Sequence, residues 1–190
     1  MKNLLFCALL PLTCFGQGSG FIENFTLPNV VDGQAFSFKQ YDSVSTVVVV
    51  FTSLYCPYAQ LYDDRIRDLI NDFQSERVRF LLINSNSPKS SPKESKQNMA
   101  RIANEKQWGV PFLADHSQQV ARMFGAEKSP EVFVLSRQKK SYKILYRGAI
   151  DDNPQVPHDV HHAYLRDFLS SSASNTSVHS VPPTGCIIKR

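Results

Sequence analysis

The chain has 190 residues, 42% hydrophobic and 20% charged, with a formal net charge of +4. These proportions fit one globular domain with a single core and exclude a disordered chain. The basic excess is mild and no Lys/Arg stripe appears, which argues against a nucleic-acid-binding surface.

Residues 1–16, MKNLLFCALLPLTCFG, place one Lys ahead of an apolar run from Leu4 to Leu12. They read as a secretory signal cleaved near Gly16–Gln17. That run is too short to span a bilayer, and no later segment is long enough. The mature protein is therefore expected to be exported, to the periplasm or beyond. A lipoprotein anchor at Cys14 is the weaker alternative, because Thr13 stands where a smaller residue is expected. Cys7 and Cys14 leave with the signal, so the mature chain keeps Cys56 and Cys186. An oxidising compartment admits a disulfide between them.

A main domain is expected over residues 17–170. Residues 21–44 carry FTLPNVVDGQAFSF around an Asp-Gly turn and predict an N-terminal hairpin. Val47–Thr52 is a β-branched run suited to a central strand buried on both faces. Tyr62, Ile66, Leu69, Ile70 and Phe73 then share one helical face, with Pro57 at the first helical position. VRFLLINSN (78–86) predicts a second buried strand. Ser91-Pro92-Lys93-Glu94 has the form of a capping box and predicts a helix through about Glu105. VPFLAD predicts a short extended piece. Asp115 and Gln118 predict the start of a helix that ends at Gly125. PEVFVLS and SYKILYRG predict two strands joined by the polar turn RQKK (137–140). A last helix is expected over about His158–Leu169, with Val160, Ala163, Tyr164 and Phe168 inward. This order predicts a mixed sheet covered by helices on both faces. Residues 171–190 open on a Ser/Thr/Pro-rich stretch without periodicity, expected to be a mobile linker, and carry Cys186.

Cys56 falls where a buried strand gives way to a helix. Unsatisfied N–H groups and the positive end of the helix dipole gather there and favour a thiolate. Asp63 and Asp64 lie too far along to counter this, and no carboxylate closely precedes the cysteine. A small buried hydrophobe is the plainer reading of a free cysteine, but a Pro-Tyr pair at a helix mouth favours a redox-reactive thiol.

Cys56-Pro57-Tyr58-Ala59 resembles the active-site turn of the thioredoxin and glutaredoxin superfamily, with Ala59 in place of the second cysteine. SPEVFVL (129–135) resembles that superfamily's cis-proline segment. NSN (84–86), YRGAIDDN (146–153) and TGCIIKR (184–190) add a resemblance to peroxiredoxin-like redoxins of the alkyl hydroperoxide reductase/thiol-specific antioxidant class. The resemblance spans about residues 22–190. It implies an α/β thioredoxin fold with a central mixed β-sheet, helices on both faces and an N-terminal β-hairpin extension. It also implies a thiol-disulfide oxidoreductase with Cys56 as nucleophile on a disulfide or sulfenic acid of a protein or small molecule, and an external thiol as reductant. Pro130 would shape the substrate groove as a cis-proline, with Pro57, Tyr58 and Ser129 beside it. No cofactor is expected.

The chain also departs from these patterns. Val50 stands where thioredoxins keep a buried acid six residues before the cysteine. Val49 stands where peroxiredoxins keep a proline, although Ser53 supplies their hydroxyl three residues before. Cys56 aligns with the first thioredoxin cysteine, whereas peroxidatic cysteines align with the second. Direct peroxide reduction is thus the weaker enzymatic reading, an atypical thiol peroxidase. A non-catalytic thioredoxin-fold binding module is the alternative from another class.

A mixed disulfide on Cys56 needs a second thiol to break it, and Cys186 is the internal candidate. The linker of about 16 residues spans roughly 20–24 Å as a coil and at most about 55 Å extended. A core of this size has a radius of gyration near 15 Å, roughly, so the tail can reach. Three readings stay open: a redox pair, a static staple, or a Cys186 that stays free or pairs between chains.

His158 and His162 would share a helix face at i, i+4, with His161 beside them. No HExxH motif or cysteine pair supports a metal, and an exposed polar face is the preferred reading. Asp151 and Asp152 follow a strand and read as a loop pair accepting backbone bonds rather than as acid/base groups. Arg147 is a candidate to hold a thiolate or buried charge. Trp108 and Phe112 read as core.

Overall fold

A computed structural model describes residues 20–139, 141–171 and 177–190. The expected signal segment lies outside the described residues. The main strands are β1 (Phe21–Ile22), β4 (Thr46–Phe51), β5 (Val78–Asn84), β6 (Phe112–Ala114), β8 (Glu131–Arg137), β9 (Tyr142–Gly148) and β10 (His179–Val181). They form a seven-stranded mixed sheet in the order β1-β9-β8-β4-β5-β6, with β10 also on β9. β4 runs parallel to β5 and antiparallel to β8. Val47, Val48, Val49 and Val50 are each at most 1% exposed, so this strand is buried on both faces as its continuous β-branched run requires.

One face of the sheet is covered by α2 (Asp63–Phe73), α3 (Lys96–Lys106) and α5 (Tyr164–Ser170). The other packs against α4 (Gln119–Phe124) and the hairpin of β2 (Thr26–Pro28) and β3 (Ala35–Ser37). This is the expected thioredoxin fold with its N-terminal hairpin. Two further elements concern the site: the short helix α1 (Pro57–Leu61), and the pair of β7 (Lys128–Ser129) with β11 (Cys186–Ile187).

Several expectations need correction. The helix expected from Pro57 onward breaks at Tyr62, whose backbone caps α1 and opens α2. Ser91 caps nothing with its side chain; Pro92–Glu94 is a single 3-10 turn and Ser95 is the N-cap of α3, accepting from the Asn98 N–H. The last helix begins at Tyr164, because Asp152 accepts the His161 N–H and donates its own N–H to the His162 carbonyl, which fixes that stretch as a loop. His158 therefore sits in a 3-10 turn and shares no helix face with His162. Among the described residues no group of three His, Cys, Asp or Glu side chains could hold a metal ion. No described helix is long and apolar enough to cross a membrane.

The tail differs most from its composition. Residues 179–181 pair parallel to β9 and residues 186–187 pair antiparallel to β7. Glycine permits the first pairing: a Cβ at Gly148 would stand 1.6 Å from the Val181 carbonyl oxygen, and Gly148 holds φ +129°.

Candidate active site

The site is built where β4 ends. Thr52 still donates its N–H to the Ile83 carbonyl, and the chain then turns through Ser53–Tyr55 to Cys56, the N-cap of α1. Cys56 is 3% exposed, Pro57 is exposed and Tyr58 half-buried. Ala59, in the place of a second cysteine, is fully buried. The thiolate-favouring groups are thus those of one short helix, and a dipole acts mainly within the first turn. Asp63 does not oppose them as a free charge. It pairs with Lys106 at 2.9 Å, and burial raises its pKa.

Cys56 and Cys186 form a disulfide with Cα atoms 5.9 Å apart. Cys186 stands opposite Ser129 in the β7–β11 ladder. The Ser129–Pro130 peptide is cis, Ser129 and Pro130 are buried, and the Cys56 sulfur lies 3.2 Å from the Ser129 carbonyl oxygen. Cys56, Cys186, Ser129 and Pro130 are therefore brought together. The tail lies against the cis-proline segment in the antiparallel sense.

Two buried carboxylates frame this site. Glu94, 2% exposed, accepts the Leu54 N–H at 2.9 Å, the Tyr55 N–H at 3.2 Å and the Asn84 side-chain amide at 2.7 Å. No Lys or Arg among the described residues forms an ion pair with it; its two oxygens are met by N–H donors instead. Glu131, also 2% exposed, accepts the Glu127 and Lys128 N–H groups and so fixes the entry to β7. Arg147 reaches Glu131 at 3.4 Å, so it serves the proline segment and not Cys56.

The NSN stretch links both sides. Asn84 donates to Glu94, Ser85 donates to Asp115, and the Asn86 side-chain Oδ1 accepts the Lys189 N–H at 2.7 Å. Asp115 in turn takes the Ala121 N–H and so helps cap α4. Sequence reasoning missed Glu94 because it fits a capping box, and missed Glu131 altogether; the Glu after a cis-proline candidate was the available signal.

Asp151 and Asp152 do accept backbone bonds, from Asn153 and His161. Asp151 does more. It is 7% exposed, accepts the Tyr62 hydroxyl at 2.6 Å and pairs with Arg65 at 2.7 Å. Burial, then the Asp151 bond, hold the Tyr62 hydroxyl protonated well above the ordinary tyrosine range. The group pins the α1–α2 break to the loop after β9. Trp108 and Phe112 are core, ring against ring at 5.5 Å.

The AhpC/TSA family model matches residues 21–147. The chain belongs to the AhpC/TSA family. As a member of that family it is similar along most of its length to a solved but uncharacterized conserved protein from Geobacillus kaustophilus. The two share 28% identity over 94% of each chain, with TM-score 0.77. A hypothetical protein from Sinorhizobium meliloti 1021 is 28% identical over 87% of this chain and 90% of its own, with TM-score 0.72. A thiol-disulfide oxidoreductase from Bacteroides fragilis, 17% identical over 65% of this chain and 86% of its own, shares the fold at TM-score 0.53. Among curated proteins none matches the chain.

Proposed function

We propose that this redoxin is an exported thiol-disulfide oxidoreductase in which Cys56 is the nucleophile and Cys186 the resolving thiol. The observation that supports it most is the Cys56–Cys186 bond formed in the groove beside cis-Pro130. Cys56 lies at a helix N-cap, where first-turn N–H groups stabilise a thiolate or a leaving thiolate. Its substrate is a disulfide or sulfenic acid, and an external thiol returns the pair to the dithiol. Attack by the Cys56 thiolate on a disulfide sulfur forms a mixed disulfide and releases one thiol. Attack by Cys186 then releases the second and restores the bond seen here.

A second reading is a binding module with a static staple. Burial of Ile188, 7% exposed, favours it, because a side chain packed into the core argues for a tail that stays. Redox titration separates the two. The protein is purified without reductant, equilibrated across a thiol-disulfide buffer series, and its cysteines are differentially alkylated and mapped by peptide mass. The oxidoreductase reading expects a reversible bond at moderate potential in the folded protein. A bond that yields only on unfolding, or two free thiols at the outset, would overturn it.

A further inference from the structure

Residues 185–189 sit in their groove mainly through the main chain. Beyond the β7–β11 pairing, the Ile188 N–H donates to the Glu127 carbonyl at 2.9 Å and the Lys189 N–H to Asn86 at 2.7 Å. The Lys189 carbonyl accepts from the Ser87 N–H at 2.9 Å and from the Gln118 amide at 2.8 Å. These bonds read an extended backbone, so any sequence able to lie extended could make them.

Three positions read the side chain. A Cβ at Gly185 would stand 2.4 Å from the Ser129 carbonyl oxygen and 2.7 Å from its carbon. Nothing larger than glycine fits there without moving the proline segment. Position 186 must carry the sulfur that meets Cys56. Position 188 is buried with the apolar side chains of the α4 face, whereas Ile187 is 75% exposed and is not read. An open cleft of about 690 Å³ runs along the α4–β7 side of residues 187–190, so the groove is wider than the strand that fills it.

We propose that this groove is a peptide site selective for extended segments of the form Gly-Cys-Xaa-aliphatic, and that the chain's own Gly185-Cys186-Ile187-Ile188 is its tethered competitor. The inference rests on the oxidoreductase reading and names its substrate class. With Cys56 3% exposed beneath the tail, a partner sulfur gains access by taking the tail's place. The Cys56 thiolate attacks the partner cysteine of that motif within the partner's disulfide. The partner's S–S bond breaks, its other cysteine leaves as a thiolate and takes up a proton, and a Cys56–partner disulfide forms. Return of the tail brings the Cys186 thiolate onto the Cys56 sulfur. The partner cysteine leaves as a thiol, and its strand is displaced in the same event. The partner disulfide gains two electrons, the Cys56/Cys186 pair loses two, and an external dithiol restores the pair.

The test uses full-length protein carrying Cys186→Ser, reduced, against three peptides whose cysteine is capped as a 2-nitro-5-thiobenzoate disulfide: Thr-Gly-Cys-Ile-Ile-Lys, Thr-Ala-Cys-Ile-Ile-Lys and Thr-Gly-Cys-Ile-Ser-Lys. Release of the coloured thiolate reports attack by Cys56. The Ala and Ser peptides are expected to react roughly tenfold more slowly than the first. Adding Gly185→Ala to the protein is expected to speed the first peptide by a similar factor, because the tail no longer seats. Equal rates for all three peptides would overturn the selectivity while leaving the oxidoreductase reading intact. An unchanged rate in the Gly185→Ala protein would overturn the competition. No release from any peptide in either protein would overturn both the inference and the reading beneath it.

Discussion

Cys56 follows closely on the end of β4, a strand paired on both sides in which Val47 to Val50 are almost wholly buried. Cys186 arrives on a two-residue strand, on a segment whose side chains mostly face solvent. The first cysteine is held by the core. The second is held by main-chain hydrogen bonds that compete with water, by one buried isoleucine and by the disulfide itself. Unequal support of this kind suits a fixed nucleophile and a partner thiol that can come and go.

The largest expected effect comes from the bond. Replacing Cys186 with Ser removes a closure of 130 residues, and thermal unfolding should report a loss of up to about 5 kcal/mol on the chain-entropy model. Equal losses for Cys56→Ser and Cys186→Ser are expected if closure dominates; a much larger loss for Cys56→Ser would mean that the strand-end side carries extra packing. Next is Ile188→Ala, expected to cost about 2 kcal/mol in the oxidised protein by denaturant titration. In the reduced protein the same substitution should cost less, at most about 1.4 kcal/mol for a tail seated roughly tenfold in favour, because the tail can then release instead of bearing the full loss. An undiminished cost would break the contrast between the two supports.

Glu94→Gln tests the fixed side alone. It should cost about 1–3 kcal/mol, oxidised or reduced, since an amide cannot accept all three donors that the carboxylate accepts. The smallest effect is that of His116. Burial is the main cause lowering its pKa, followed by Lys96, and its Nε2 has no hydrogen-bond partner among the described residues. The unfolded chain therefore binds a proton at His116 more readily than the folded one. That stability is present above the ordinary histidine value of 6.5 and declines as pH falls below it towards the lowered folded value. His116→Gln should flatten this acid-side decline in thermal melts between pH 7 and pH 5, roughly the range of histidine titration.

The parts of the molecule that were readable from sequence are those set by local pattern. The β-branched run of β4, the alternation in β9, and Pro57 after Cys56 each name their own structure. Pro130 was recognisable only through a family resemblance. The misread parts depend on partners distant in sequence. Ser91 to Glu94 has the same spelling whether Glu94 turns back on its own helix or reaches the N–H groups of Leu54 and Tyr55, and only the second satisfies that loop. The tail reads as a linker by composition, and it pairs with the sheet because Gly148 and Gly185 offer no Cβ at the approach. The helix expected from His158 lost its first turns to the hydrogen bonds of Asp152.

The pairing of β10 with β9 also bears on solubility. The outer rim of β9 is covered by β1 at Tyr142–Lys143 and by β10 at Tyr146–Gly148. At the opposite rim the Asn29 side chain and the Val30 N–H bond Phe112 of β6. Segments outside the alternating strand-helix repeat thus close both rims. Exposed rims of this kind template the pairing of one chain with another. A chain shortened before His179 would bare the Tyr146–Gly148 stretch, and such a species should self-associate through it.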